Sequence, residues 1–285
     1  MGSCRIIKPG LLTTVQDLGR KGHRYHAIPQ SGVMDRQSAI LAHRLLANPP
    51  SLPLLECTVN GPTLEFLTPA TLVITGAPMQ WQLNGKVVPE NLAFNVGPGD
   101  ILKSGFARQG LRSYLAIKGR IESEFHFDSA STYAYAGLGH GHGRALQKGQ
   151  MLSWTETNHK LRHQPALHEL TKDTISLVKG PEYDYLTAQS KAALMEQPFI
   201  VTPQSNRMGA RLATKSLLSS LKTLKNSVPI LQGMIQLPPD GMPIVVLQDG
   251  QTTGGYPRIA YIPSSELDYF NQIAFNRPFY FKSTS

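Results

Sequence analysis

The stretch Trp81-Gln82-Leu83-Asn84-Gly85-Lys86-Val87-Val88 decides the fold class. The runs Trp81-Gln82-Leu83 and Lys86-Val87-Val88 flank Asn-Gly, the pair that best supplies the two positive φ angles of a tight I′ turn, so the segment reads as a β-hairpin. The same texture extends in both directions. Upstream, Thr71-Leu72-Val73-Ile74-Thr75 ends at Gly76. Downstream, Ala93-Phe94-Asn95-Val96 and Ile101-Leu102 flank Gly97-Pro98-Gly99-Asp100 and read as another strand–turn–strand, followed by Ser113-Tyr114-Leu115-Ala116-Ile117. Beyond residue 170 the strand signals return at 174–178, 199–202, 235–237, 244–247, 259–261 and 279–281. Helical spacing is confined to 36–47, with Asp35 as N-cap, and to 183–195 and 265–273. Many short strands with Gly/Pro turns and a few peripheral helices predict a mainly-β sandwich or barrel. The stretch 155–172 is poorest in apolar periodicity. It is read as an inter-domain segment, giving an N-terminal β domain over 1–160 and a C-terminal one over 170–285.

Composition narrows the function classes. The chain has 285 residues, net charge +9, and only 16% charged residues, against roughly 25% in a typical globular chain. The positive sign thus comes partly from scarce acids. The bases are scattered, and no helix-turn-helix, zinc-finger or RNP pattern is present, so nucleic acid is not an expected partner. No apolar run reaches the roughly 18 residues a membrane helix needs, and Met1-Gly2-Ser3-Cys4-Arg5 has no signal core; a cytoplasmic, membrane-free protein is expected. Cys4 and Cys57 are too few for a disulfide framework and read as free thiols. His140-Gly141-His142 has metal-like spacing, but four interleaved glycines favour a loop, and no metal is expected.

Four polar, glycine-rich segments stand out: Thr13–Gly22 running on to Gln30–Asp35, Ala136–Arg144, Pro203–Gly209 and Gln248–Arg258. Glycines let other groups approach the backbone while amides, hydroxyls and guanidinium groups offer donors and acceptors beside it. An Asn-Arg pair suits a carboxylate or carbonyl, the arginine in bidentate fashion. Gln-x-x-Thr-Thr-Gly-Gly directly after Ile244–Leu247 puts a polar loop at a strand end, where sites tend to lie. Ordinary turns use the same residues. There is no phosphate loop, no dinucleotide fingerprint in the right context and no Gly-x-Ser-x-Gly elbow.

Taken in order, the motifs resemble one family. They are Thr14-Val15-Gln16-Asp17-x-Gly-Arg20-x-Gly22, Ser31-Gly32-x-Met34-Asp35, Leu55-Glu56-x-Thr58-x-x-Gly61-Pro62, Gly110-x-Arg112-Ser113-Tyr114-Leu115-Ala116 and Gly180-Pro181-Glu182. Gln204-Ser205-Asn206-Arg207-Met208-Gly209-x-Arg211-Leu212, Gly233-x-Ile235-Gln236-x-Pro238, Gly241-x-Pro243-Ile244 and Gln251-Thr252-Thr253-Gly254-Gly255-Tyr256-Pro257 complete the series. The pattern is similar to the allophanate hydrolase subunit 2 (KipA) family over about residues 5–281. That family includes the C-type component of ATP-dependent bacterial 5-oxoprolinase, KipA-type regulators and the carboxyltransferase domain of urea carboxylase; as a stand-alone protein the chain looks closest to the first.

The resemblance implies two cyclophilin-like β-barrel domains with a few peripheral helices. It also implies partnership with a KipI-like B-type subunit and a lactam-opening A-type subunit, and ATP as the cofactor used with the partner. The expected reaction is hydrolysis of 5-oxo-L-proline to L-glutamate by a hydrolase in which this chain is inactive alone. Arg207, Asn206 and Gln248 are the catalytic candidates, Arg207 holding the substrate carboxylate. Thr252, Thr253 and Tyr256 line the small-amide pocket, and Asp17, Arg20 and Asp35 complete it or support its loops. Two alternatives stay open: a KipA-like protein antagonising a kinase inhibitor, and a carboxyltransferase component served by separate biotin proteins. This chain has no Met-Lys-Met biotin attachment site of its own. Departures from the family pattern, such as Gly119-Arg120 for Gly-Gly and Gly149-Gln150 for Gly-Asp, mark a diverged member.

Overall fold

The structure is a computed structural model that describes residues 1–157 and 169–284. Part of the 155–172 segment lies outside the described residues. The chain forms two compact units, Met1–Arg20 with Ser31–Leu170, and Lys21–Gln30 with Thr171–Ser285. Residues 21–30, placed by sequence within the N-terminal domain, therefore group with the second unit.

The first unit is a pair of antiparallel sheets. One runs Arg120–Ile121, Met151–Thr155, Gly2–Lys8, Thr63–Phe66, Ile101–Lys103, Gln82–Leu83, Lys86–Val87; the other runs Leu12–Gln16, Leu54–Thr58, Arg112–Ile117, Ala70–Gly76, Phe94–Val96. Strand Arg112–Ile117 shows why they layer. Leu115 and Ile117 point into one core with Ile6, Leu64, Phe66, Trp81 and Trp154 from the larger sheet and its flanks. Tyr114 and Ala116, on the opposite face, pack with Val33, Ala39, Ala42 and Leu46 around the helix Arg36–Leu45. Successive side chains alternate faces, so a strand covered on both sides is buried at all six residues. Asp35 caps the helix as expected, accepting from the Ser38 N–H at 3.0 Å.

The Asn84-Gly85 hairpin forms as read, with φ of 50° and 83° at the two turn residues. The Gly97–Asp100 segment does not make a hairpin. Phe94–Val96 pairs with Ala70–Gly76 in the smaller sheet, whereas Ile101–Lys103 pairs with Thr63–Phe66 and Gln82–Leu83 in the larger. The turn is thus a corner at which the chain changes sheets, a role two-sheet β folds require.

The second unit is a closed barrel in the order Thr174–Lys179, Arg258–Tyr261, Met234–Gln236, Ile244–Val246, Gly209–Thr214, Phe199–Val201, Pro278–Ser283. A parallel pairing of Thr174–Lys179 with Pro278–Ser283 shuts it. Its strands bury Ile175, Leu177, Leu212, Ile235, Val245, Ile259 and a cluster of Phe199, Phe279 and Phe281, whose rings lie 5.0–6.3 Å apart. The helix read over 183–195 resolves into a 3-10 turn at Tyr183–Tyr185 and a helix at Ala188–Glu196 capped by Thr187. Leu186 sits between them in extended conformation, which divides the two. The last helix spans Ser264–Asn271. The mainly-β class expected from the sequence is the class observed.

Candidate functional site

The candidate residues fall into two groups, one in each unit. In the first unit the strand Leu12–Gln16 runs out into Asp17, which is buried. Its Oδ1 accepts from the Gly19 N–H (2.8 Å), the Ser129 hydroxyl (2.7 Å) and the Ser131 hydroxyl (2.6 Å), and its Oδ2 accepts from the Ala130 N–H (2.7 Å). Arg20, 1% exposed, donates to the carbonyls of Ser131 and His126. Asp35 accepts from the Ser38 N–H and hydroxyl, while its own N–H donates to the Tyr114 hydroxyl at 2.7 Å. That hydroxyl donates to Glu56, which also accepts from the Met34 N–H. Burial and the Glu56 charge push the Tyr114 phenol well above its ordinary pKa. Asp17 and Arg20 tie the 17–20 loop to the 126–131 segment, and Asp35 ties the start of the helix to the central strand Arg112–Ile117.

The glycine-rich segment 136–144 also belongs to the first unit. His140 Nδ1 lies 3.1 Å from the Ser123 hydroxyl and Nε2 3.2 Å from Gln150, and the His126 ring accepts from the Gly139 N–H. Burial lowers the His140 pKa. Among the described residues, no group of three or more His, Cys, Asp or Glu side chains is placed to hold a metal ion. Cys4 and Cys57 are free and buried, and burial raises the Cys4 thiol to about 12 and Cys57 higher still.

In the second unit two loops at strand ends meet. The Arg207 carbonyl accepts from the Asp249 N–H (2.9 Å) and the Met208 carbonyl from the Leu247 N–H (3.0 Å). A Cβ on Gly250 would stand 2.9 Å from the Met208 carbonyl oxygen and 2.4 Å from a Val246 methyl, so only glycine permits this approach. Asn206 is exposed, and its Oδ1 accepts from the Met208 and Gly209 N–H groups, shaping the turn. Arg207 is 9% exposed and closes a two-pronged ion pair on Asp249, with Nε to Oδ2 at 2.8 Å and Nη2 to Oδ1 at 3.2 Å. The family resemblance implies a substrate carboxylate for Arg207; the structure gives it this protein carboxylate, 42 residues away.

Gln248 is buried, with its Oε1 3.5 Å from the Asn271 side-chain amide. Thr252, Thr253 and Tyr256 follow on the same loop. Thr252 is half-buried, Thr253 exposed and Tyr256 44% exposed. Thr253 and Gly254 pair with Pro229 and Val228 in a small ladder, and the Ile230 N–H donates to the Thr252 carbonyl at 3.0 Å. The structure therefore brings Asn206 and Arg207 together with Gln248 and places Thr252 and Thr253 beside a short strap at 228–230, while the Tyr256 carbonyl accepts from the Gln236 side chain.

Three charged residues here are not among the candidates that the sequence singles out: Asp249, Glu182 and Arg258. Glu182 grips Arg258 through Nε to Oε2 at 2.9 Å and Nη2 to Oε1 at 2.7 Å. These bonds hold the Glu182 carboxyl below the usual carboxylate range and raise Arg258. Gly-Pro-Glu and Tyr-Pro-Arg are both visible in the sequence, but nothing local connects one to the other across 76 positions.

Residues 26–283 match the family model "Carboxyltransferase domain, subdomain A and B". The chain is 34% identical to the C component of 5-oxoprolinase from Escherichia coli, over 99% of its own length and 91% of that protein. It is 30% identical to the urea amidolyase of Lachancea kluyveri over 94% of its length but only 16% of that protein. Among solved structures, the Kluyveromyces lactis urea carboxylase superposes with a TM-score of 0.92 at 27% identity, covering 99% of this chain and 27% of that one. The chain thus spans about a quarter of that solved enzyme and nearly all of the bacterial protein. By the family match over most of its residues, the chain belongs to the carboxyltransferase-domain family, subdomains A and B.

Proposed function

We propose that the chain is the C-type component of an ATP-dependent 5-oxoprolinase, acting with a KipI-like B-type subunit and an A-type subunit to hydrolyse 5-oxo-L-proline to L-glutamate. The observation that carries this reading is the length of the match. It runs nearly end to end with the bacterial oxoprolinase component, whereas the fungal urea amidolyase matches over a minor part of a much longer chain. In this reading the stitched loops 203–209 and 247–257 form the substrate surface. Arg207, oriented by Asp249, recognises the carboxylate, and Asn206 fixes the turn that presents it. Gln248 and the hydroxyls of Thr252 and Thr253 meet the lactam amide, with Tyr256 at the rim. Asp17, Arg20 and Asp35 support the first unit's loops. The site acts by positioning rather than by a protein nucleophile. ATP is used in the joint action with the B-type partner, as the family resemblance implies.

The test is reconstitution of the three subunits with Arg207→Ala in this chain. Activity is expected to vanish while binding to the B-type partner persists; turnover at the wild-type rate refutes the assignment. A second reading, carboxyl transfer from a separate biotin protein, is favoured by the match to the carboxyltransferase model and by the fold shared with urea carboxylase. Sensitivity of the reconstituted reaction to avidin decides for it.

A further inference from the structure

The Thr252–Tyr256 loop is held by groups outside its own segment. The strap Val228–Pro229 pairs with Thr253–Gly254, and Ile230 donates to Thr252. Two arginines hold the strap by its carbonyls. Arg258 Nη1 donates to the Pro229 carbonyl at 2.9 Å, and Arg24, from the stretch 21–30, donates to the Ile230 carbonyl. Arg258 reaches Pro229 with its other two nitrogens already fixed by Glu182, whose Oε2 also accepts from the Arg258 N–H at 2.9 Å. The Glu182 side chain is 9% exposed and that of Arg258 15%, so water competes weakly for this fork. Gly180 makes the arrangement possible. A Cβ there would lie 2.1 Å from the Arg258 carbonyl oxygen, so the Gly180-Pro181-Glu182 turn can press onto the strand that carries Arg258 only with glycine.

We propose that Glu182, Arg258 and Arg24 are positioning residues that clamp the 228–230 strap and, through it, set the placement of the Thr252–Tyr256 loop. The substrate consequence of this clamp rests on the reading of that loop as part of the 5-oxoproline site. Arg258→Lys keeps the charge opposite Glu182 but has one nitrogen, which cannot hold the carboxylate by two bonds and reach Pro229 as well. Glu182→Gln keeps the shape and removes the charge. Arg24→Ala removes the second tether independently and spares the ion pair.

Hydrogen exchange on the full chain reads the clamp without any activity assay. In each variant, peptides covering 228–231 and 251–257 are expected to exchange about tenfold faster, the effect of losing one charge-assisted hydrogen bond. Peptides from Phe199–Val201 and Gly209–Thr214, elsewhere in the barrel, should keep their wild-type rates. Unchanged exchange at 228–231 and 251–257, or an equal rise throughout the barrel, overturns the clamp. In the reconstituted enzyme the same variants should raise KM for 5-oxo-L-proline more than they lower kcat. A local rise in exchange with unaltered KM upholds the clamp and removes the loop from the substrate site.

Discussion

Replacing Asp17 by asparagine isolates what its carboxylate does. Oδ1 accepts three hydrogen bonds and Oδ2 one, from donors on both the 17–20 loop and the 129–131 segment. Asparagine in the better of its two orientations keeps an oxygen at the Oδ1 position. Its NH2 then faces the Ala130 N–H, donor against donor, and the three remaining bonds lose their charge assistance. One buried donor left unsatisfied costs about 1–3 kcal/mol, and the weakened bonds add to it, so a loss of about 3 kcal/mol is expected. The assay is thermal unfolding followed by tryptophan emission. The sequence contains only two tryptophans, Trp81 and Trp154; both are fully buried in the first unit, so the signal reports that unit alone. For a unit of this size each kcal/mol moves the midpoint by about 3 °C, which predicts a fall of about 9 °C. A fall below about 3 °C would mean that the four-bond brace contributes little, and the structural role given to Asp17 would be wrong.

Two further outcomes follow from buried titratable groups. His43 is 1% exposed, and burial lowers its pKa to about 4, against roughly 6.5 when the chain is unfolded. Between those values the unfolded chain binds the proton and the folded one does not. The stability is therefore complete above about pH 6.5 and falls by about 3 kcal/mol as the pH drops to 4. Urea denaturation across this range should show the stability advantage of wild type over His43→Gln shrinking with falling pH; a constant gap contradicts it. The buried Cys4 and Cys57 thiols, held protonated at neutral pH, should resist Ellman's reagent in the native protein and react fully in denaturant. Prompt modification of either thiol in the native state would show that the core around it opens.

What is legible in the sequence is local. Asn84-Gly85 specifies its turn through its own φ angles, and Asp35 specifies a helix start by reaching three residues ahead. The same local chemistry at Gly97–Asp100 marks a turn but not the partners of the strands it joins, and those lie in different sheets. The polar loops are visible as loops, yet their wiring is not. Arg207 finds Asp249, Arg258 finds Glu182, and Arg24 finds the Ile230 carbonyl, pairings set by barrel closure and by the grouping of residues 21–30 with the second unit. An arginine in a glycine-rich segment reads equally well as a ligand group or as a loop anchor. The carboxylate that orients it sits tens of positions away, where no local pattern points to it.

The proposed role, supply of a necessary part of a 5-oxoprolinase, is tested most directly by glutamate formation from 5-oxo-L-proline and ATP. The purified B-type and A-type subunits are assayed with and without this chain, in the presence and absence of avidin. Glutamate is expected only when this chain is included, with no effect of avidin. Full activity without it, or activity with it that avidin abolishes, would contradict the role.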